Sequence, residues 1–147
     1  MMARILGMDV GDKRIGLALS DSNGILASPL TIIERTGELD EIKPILKIIE
    51  EREIGQIIVG LPRLMNGNIG AQAEKVQDFV VTLSTYTDIP IELRDERLTT
   101  VTAVRLKQET DSKKKKWKIR YDAMAAAVIL QDYLEEKAAR NSQTTER

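Results

Sequence analysis

Cysteine and histidine are both absent from the 147 residues of this chain. Their absence excludes disulfides, thiolate nucleophiles and imidazole ligands, so a metal site would have to be built from oxygen donors. No apolar run approaches the roughly 18 residues of a membrane span, and the first residues lack the pattern of a secretory signal. Aromatic residues make up only 3% and charged residues 31%, which predicts a soluble cytoplasmic protein with no membrane partner.

A large excess of charge is also absent, since the formal net charge is −1. Positive charge is nevertheless concentrated in residues 105–120, which hold eight basic and two acidic side chains, a local charge of +6. The rest of the chain therefore carries −7. Such asymmetry is typical of a loop that binds a polyanion, and we interpret residues 110–118 as a basic loop. A solvated run of lysines is the alternative, and Trp117 either stacks on a base or packs on the protein.

The apolar periodicity predicts strands and helices in the order β-β-β-α-β-α-β-α-α. The predicted strands cover Arg4–Asp9, Ile15–Ser20, Ile25–Ile33, Gln56–Leu61 and Pro90–Arg94, and the predicted helices cover Glu38–Glu53, Ala71–Leu83, a segment from Thr99 or Thr100, and Tyr121–Ala139. Because helices connect the later strands, those strands should pair in parallel. Pro29 predicts that the third strand lies at an edge or contains a bulge.

These elements predict an α/β fold with a mixed five-stranded sheet flanked by helices. We expect residues 1–140 to form a single domain and residues 141–147 to be a disordered polar tail.

Three acidic residues lie where solubility explains them poorly. Asp9 ends an apolar strand, Glu96 follows the fifth strand, and Asp122 opens the last helix on its apolar stripe. Ligands bind beyond the carboxyl ends of parallel strands, so Asp9 and Glu96 should meet there, and a closely packed helix would bring Asp122 to them. Taken singly, Asp9 also fits a turn residue, Glu96 a surface salt bridge and Asp122 an acid that favours the helix dipole.

Three converging carboxylates repel one another unless a cation lies between them. Oxygen donors of this kind suit Mg²⁺ or Mn²⁺. Two such ions about 3.5–4 Å apart could clamp a phosphodiester for in-line attack by water. The acids therefore predict a metal-dependent nuclease site, with Asp95 beside it and Arg97 available to stabilise charge on the phosphate.

Four segments resemble the YqgF family, whose members are Holliday-junction-resolvase-like proteins regarded as nucleases of pre-16S ribosomal RNA. The matching segments are Gly7–Gly16; Val59–Pro62 with Met65, Gly67, Gly70, Ala73, Val76 and Phe79; Asp95–Thr100; and Asp122–Ala126 with Ile129 and Leu130. The chain departs from the family pattern at Tyr121, where an aliphatic residue is usual, and in Glu109-Thr110-Asp111, which lacks the usual glycine.

The resemblance implies a ribonuclease H-like fold and a site that depends on Mg²⁺ or Mn²⁺. It implies that Asp9, Glu96 and Asp122 are the catalytic and metal-binding acids, with Arg14 and Arg97 at basic positions beside them. The residues that we expect to contact nucleic acid are Lys13, Arg14, Arg97, Lys114, Lys115, Lys116 and Lys118.

The leading hypothesis is a metal-dependent nuclease that processes the 5′ end of pre-16S ribosomal RNA, with ribosomal particles as further partners. A Holliday-junction resolvase is a second possibility, and it would need a two-fold dimer with paired sites. A non-catalytic RNA-binding or transcription-associated module is a third. A sugar-kinase-like ATPase is disfavoured because it would need two such domains. The sequence does not decide between a monomer and a dimer.

Overall fold

The computed structural model describes residues 3–62, 70–95 and 115–145, and the side chains of the last range between 123 and 140. Its elements are β1 (Arg4–Val10), β2 (Arg14–Ser20), β3 (Ala27–Glu34), α1 (Glu38–Glu51), β4 (Ile54–Leu61), α2 (Ala71–Ser84), β5 (Ile91–Asp95) and α3 (Lys115–Thr145). The five predicted strands and three of the predicted helices are present. The helix predicted from Thr99 or Thr100 lies outside the described residues.

The five strands form one mixed sheet in the order β3-β2-β1-β4-β5. The first three strands pair antiparallel, whereas β4 pairs in parallel with β1 and β5 in parallel with β4. The carboxyl ends of β1, β4 and β5 therefore share one edge of the sheet, as the strand–helix alternation predicts. The prediction for Pro29 is also confirmed, since β3 is an edge strand and its register with β2 shifts between Leu17 and Ala18, the partner of Pro29.

Side chains of the central strands point alternately to the two faces of the sheet, and each face has its own hydrophobic core. Leu6, Met8 and Val10 of β1 belong to the core that α1 and α2 cover. Ile5 belongs to the core beneath α3, which otherwise consists of Ala18, Ile58, Ala125, Ala126, Ile129, Leu130, Tyr133 and Leu134. The α3 face is lined by small residues, and this allows the helix to lie close to the strands.

Gly7 is a point of close approach between β1 and α3. A Cβ atom at Gly7 would lie 2.7 Å from Leu130 Cβ and 2.9 Å from the Ala126 carbonyl oxygen. Farther along the helix, Leu134 lines a cavity together with Ala3 and Ile5 at the start of β1. The helix therefore runs antiparallel to β1, and its amino-terminal turns point toward the carboxyl end of that strand.

The last helix is longer than the predicted Tyr121–Ala139 at both ends. Residues 115–118, predicted as part of a basic loop, are helical, and so are residues 141–145 of the predicted disordered tail. The apolar stripe is confined to the middle of the helix, so the apolar periodicity predicted only the middle part as helical. Lysine, arginine and glutamine are strong helix formers, and neither glycine nor proline occurs between 115 and 145, so the helix continues beyond its packed face. The assignment of residues 1–140 to a single domain stays a prediction.

Within the described ranges, no helix is both long enough and apolar enough to span a membrane.

Candidate active site

Asp9 is a carboxylate within the central strand, and its side chain lies on the face of the sheet that α3 covers. Only 7% of the residue is exposed, while most other acids among the described residues lie at the surface. Its partner on β2 is Gly16. On the other side, β1 pairs with β4 up to Met8 and Val59, and Gly60 is the next residue of β4. The residue that pairs with Asp9 on β2 therefore carries no side chain that would extend over the carboxylate.

The turn from β1 to β2 begins two residues after Asp9 and is closed by a backbone hydrogen bond from Gly11 N to Arg14 O of 2.9 Å. A Cβ atom at Gly11 would lie 2.9 Å from the same oxygen. The tight return thus depends on a residue without a side chain, which explains the glycine two positions after the acid.

Two of the predicted nucleic-acid contacts lie at this turn. Lys13 is exposed at its tip. Arg14 begins β2 on the same face as Asp9, its side chain is 16% exposed, and its Nε lies 3.8 Å from Glu34 Oε1 on β3. Arg14 therefore lies on the same face of the sheet as Asp9, two residues from Gly16, the partner of Asp9. Lys13 extends toward solvent.

The end of β5 lies on the same edge of the sheet, because Leu61 pairs with Asp95 and Gly60 with Arg94. Strand alternation places Arg94 on the α3 face of the sheet, the same face as Gly60 and Asp9. Asp95 lies on the opposite face. Glu96 and Arg97 come next in the chain and lie outside the described residues.

Arg94 is a charged residue of β5 that sequence reasoning did not single out. Its guanidinium forms an ion pair with Glu136 of α3, which holds the pKa of that carboxyl below its usual value. Partial burial raises the pKa of the neighbouring Asp132, and the charge of Arg94 opposes that rise. No local signal identifies this arrangement, since Arg94 and its acidic partners lie far apart in the chain.

Position 122 is one helical turn before Ala126, which lies over Gly7. Since α3 runs antiparallel to β1, the backbone at 122 is carried toward the end of the strand where Asp9 lies. The side chain of Asp122 is not among those that the structure describes. The same holds for Lys115, Lys116, Trp117 and Lys118 in the first turn of α3, and Lys114 lies outside the described ranges.

The donor chemistry suits a hard divalent cation. The described side chains include no group of three acids placed to share a metal ion. Asp9 is a buried carboxylate at the carboxyl edge of parallel strands, and the chain has no histidine or cysteine to compete with oxygen ligands. Asp9 therefore fits the predicted type of cofactor.

A family model described as RuvX, Holliday junction resolvase, matches residues 3–136. The chain belongs to the RuvX family. The match covers all four motifs behind the predicted resemblance, which is confirmed together with the assignment to hydrolases that cleave phosphodiester bonds. Nucleases of this resolvase-like kind generally use divalent metal ions and act on nucleic acid.

Curated RuvX-family relatives cover nearly the whole chain. A Thermoanaerobacter pseudethanolicus protein named "Putative pre-16S rRNA nuclease" is 50% identical over 133 residues, which are 90% of this chain and 96% of the relative. Proteins with the same name from Clostridium acetobutylicum and Chloroflexus aurantiacus are 48% and 41% identical. They cover 89% and 97% of this chain and 97% and 93% of their own lengths, respectively.

Solved structures support the fold. Thermus thermophilus RuvC in complex with a Holliday junction substrate superposes with a TM-score of 0.56 at 13% identity, covering 92% of this chain and 96% of that one. A second T. thermophilus RuvC structure gives a TM-score of 0.52, also at 13% identity and with the same two shares covered. The predicted ribonuclease H-like fold is confirmed.

Proposed function

We propose that this RuvX-family protein is a metal-dependent nuclease that trims the 5′ end of pre-16S ribosomal RNA in the cytoplasm. The names of its curated relatives support this substrate. The observation that carries the proposal is the buried carboxylate of Asp9 at the shared carboxyl edge of β1, β4 and β5. Carboxylate oxygens at that edge are donors of the kind that hard divalent cations prefer.

Asp9, Glu96 and Asp122 are the proposed ligands of Mg²⁺ or Mn²⁺. Asp9 would supply the fixed part of the site, since it lies near the carboxyl end of β1, a strand that is paired on both sides. Glu96 directly follows β5, and position 122 lies on the part of α3 that points to the same edge. When bound, the ions would activate water for in-line attack and neutralise charge on the phosphate.

The basic residues have separate proposed roles. Arg14, on the same face of the sheet as Asp9, would contact the phosphate nearest the site. Arg97 would stabilise the charge that develops during cleavage. Lys13, Lys114, Lys115, Lys116 and Lys118 would contact phosphates farther along the RNA. Contacts of this type add affinity and orientation without reading the base sequence.

The family model's own description, Holliday junction resolvase, favours branched DNA as a second candidate substrate. Resolution of a four-way junction needs two active sites related by two-fold symmetry. A dimer seen only in the presence of the junction, together with paired incisions, would favour this substrate over RNA.

The deciding experiment is an incubation of the full-length protein with a 5′-extended 16S precursor in Mg²⁺, in Mn²⁺ and in EDTA. Asp9→Asn removes the charge while keeping the shape, and we expect it to lower cleavage at least about 100-fold, in the range of losses found when an essential charge-stabilising group is removed. Asp78→Asn, an exposed acid on α2, is the matched control and should cleave like wild type.

Metal-dependent cleavage that Asp9→Asn abolishes and Asp78→Asn retains would support both the activity and the site. Full activity of Asp9→Asn would remove Asp9 from the mechanism. Salt-sensitive RNA binding with no cleavage in either metal would instead identify a non-catalytic RNA-binding module.

A further inference from the structure

Arg35, the residue after β3, contacts the turn after Asp9 through both its backbone and its side chain. Its backbone N–H donates to Lys13 O at 2.9 Å, and its Nη1 donates to Gly11 O at 2.7 Å. One residue therefore holds the carbonyl groups at both ends of the Gly11–Lys13 turn.

The guanidinium of Arg35 is itself held in place on two sides. Its Nε donates to Glu41 Oε1 at 3.0 Å and its Nη2 lies 3.5 Å from Glu41 Oε2, a two-pronged contact with a carboxylate that is only 8% exposed as a residue. The guanidinium carbon also lies 5.3 Å from the centre of the Phe79 ring on α2. With its Nη1 on Gly11, the arginine has little freedom to leave the turn.

Helix α2 supports the same turn from the same face of the sheet. Gln72 Nε2 lies 3.4 Å from Val10 O, and Lys75 Nζ lies 3.3 Å from Asp12 Oδ1. The four residues that follow Asp9 thus all have a polar partner from Arg35 or α2. Because these partners approach from the face opposite α3, they can hold the backbone without occupying the side of the sheet where the Asp9 carboxylate lies.

We propose that Arg35, seated by Glu41, is a positioning residue that fixes the Gly11–Lys13 turn and thereby aims the Asp9 carboxylate at its metal ion. This inference rests on the proposed function, since it assigns Asp9 to a metal site. The Arg35 side chain packs against Glu41 and Phe79 on the side of the sheet opposite the Asp9 carboxylate, so its effect would pass through the turn.

The test compares Arg35→Ala and Arg35→Lys with wild type. Ile45→Val, a core substitution in α1 that leaves the turn untouched, is the control for a simple loss of stability. Three quantities are measured well below the unfolding temperature: amide exchange of residues 10–14, the Kd for Mn²⁺ from the free-ion electron paramagnetic resonance signal, and kcat and KM on precursor RNA.

For Arg35→Ala, we expect faster exchange in residues 10–14, a roughly 10- to 100-fold weaker Kd for Mn²⁺ and a comparable loss in kcat. KM should change little. Arg35→Lys keeps one hydrogen bond and the charge but loses the fork, and should lie between Arg35→Ala and wild type. Glu41→Ala should add little to Arg35→Ala in the double variant, because Glu41 acts by seating the arginine.

If Arg35→Ala matches Ile45→Val in exchange, Kd and kcat, Arg35 is only a stabilising residue and the inference is wrong. If Arg35→Ala affects exchange but not the Kd for Mn²⁺, the turn is clamped but does not aim Asp9, and the inference is likewise wrong. If the wild type neither binds Mn²⁺ nor cleaves RNA, the proposed function fails and the aiming of Asp9 fails with it. The exchange result reports on the turn independently of that failure.

Discussion

At the scale of single residues, the chain uses carboxylates in two different ways. Asp9 is buried near the end of a central strand and pairs with Gly16 on β2. Asp21 is partly exposed and caps the β2–β3 turn, accepting hydrogen bonds from the backbone N–H groups of Ile25 at 2.7 Å and Leu26 at 3.3 Å. The first arrangement favours a cation, and the second satisfies backbone donors of a turn.

The backbone hydrogen bond from Ile25 is the main reason that the pKa of Asp21 is lowered from its ordinary value of 3.8. Because the folded-state pKa lies below the unfolded-state value, the stabilisation by Asp21 is complete above about pH 4 and disappears as the pH falls through the folded-state value. We therefore expect Asp21→Ala to be less stable than wild type at pH 7, with the difference shrinking in strong acid. Urea unfolding of both proteins at pH 7 and in strong acid measures the difference in the free energy of unfolding. A difference that stays constant with pH would contradict the prediction.

At the scale of elements, the seating of α3 on β1 links the helix to the site. Gly7 lies directly under Ala126 and Leu130, so the approach of the helix is set by the absence of a side chain on the strand. Position 122 is one turn away on the same helix. Any displacement of α3 over Gly7 is therefore passed to the backbone that carries a proposed metal ligand.

Gly7→Ala tests this link. The new methyl group would overlap with the helix backbone, which cannot yield as a flexible side chain can, so we expect a loss of about 1–3 kcal/mol in the free energy of unfolding. Cleavage of precursor RNA should fall as well. Gly37→Ser is the control, because Gly37 is an exposed residue with extended backbone before α1 and should change stability by less than about 0.5 kcal/mol. A Gly7→Ala protein as stable and active as this control would show that α3 can shift freely.

At the scale of the whole molecule, one sheet separates two cores. Among the described elements, only the strands contribute residues to both cores. Ile57 and Ile58 are adjacent on β4, are both fully buried, and belong to opposite cores. The stability of each layer should depend on the other, because both layers need the same strands to be paired.

We expect Ile57→Val and Ile58→Val each to cost about 1 kcal/mol and to leave a single unfolding transition. Circular dichroism and amide exchange of the two helical layers should report the same midpoint in each variant. Two separate midpoints in Ile58→Val would show that α3 unfolds independently of the layer that contains α1 and α2.

The distribution of charge also belongs to the whole molecule. The basic segment at 105–120 carries +6 within a chain of net −1, so RNA affinity should depend strongly on salt. Replacing Lys114, Lys115, Lys116 and Lys118 with glutamine should reduce the slope of log Kd against log salt by about 0.7 for each phosphate that the variant no longer neutralises. Lys43→Gln with Lys47→Gln, both on exposed positions of α1, is the matched control. An unchanged slope in the four-lysine variant would exclude these lysines from the RNA interface.

By itself, the sequence determined the order of the described elements, the mixed five-stranded sheet, the position of Pro29 at an edge or a bulge, and the family. These properties depend on local patterns: a period of two or 3.6 residues, turn residues, and motifs that each lie within a short segment. Asp9 could be singled out for the same reason, since an acid at the end of an apolar strand is visible without any partner. The predicted site roles of Asp9, Glu96, Asp122 and the basic residues stay predictions.

Only the tertiary structure decided which polar groups meet. The fork of Arg35 on Gly11 and Glu41, the ion pair of Arg94 with Glu136, and the bond from Ala27 N to Gln131 Oε1 at 2.8 Å join separate elements. Periodicity tells which face of an element is apolar, but the partner of a polar side chain depends on how strands are ordered and how helices cross them. The same limit explains the ends of α3, where helix propensity continues after the packed stripe has stopped.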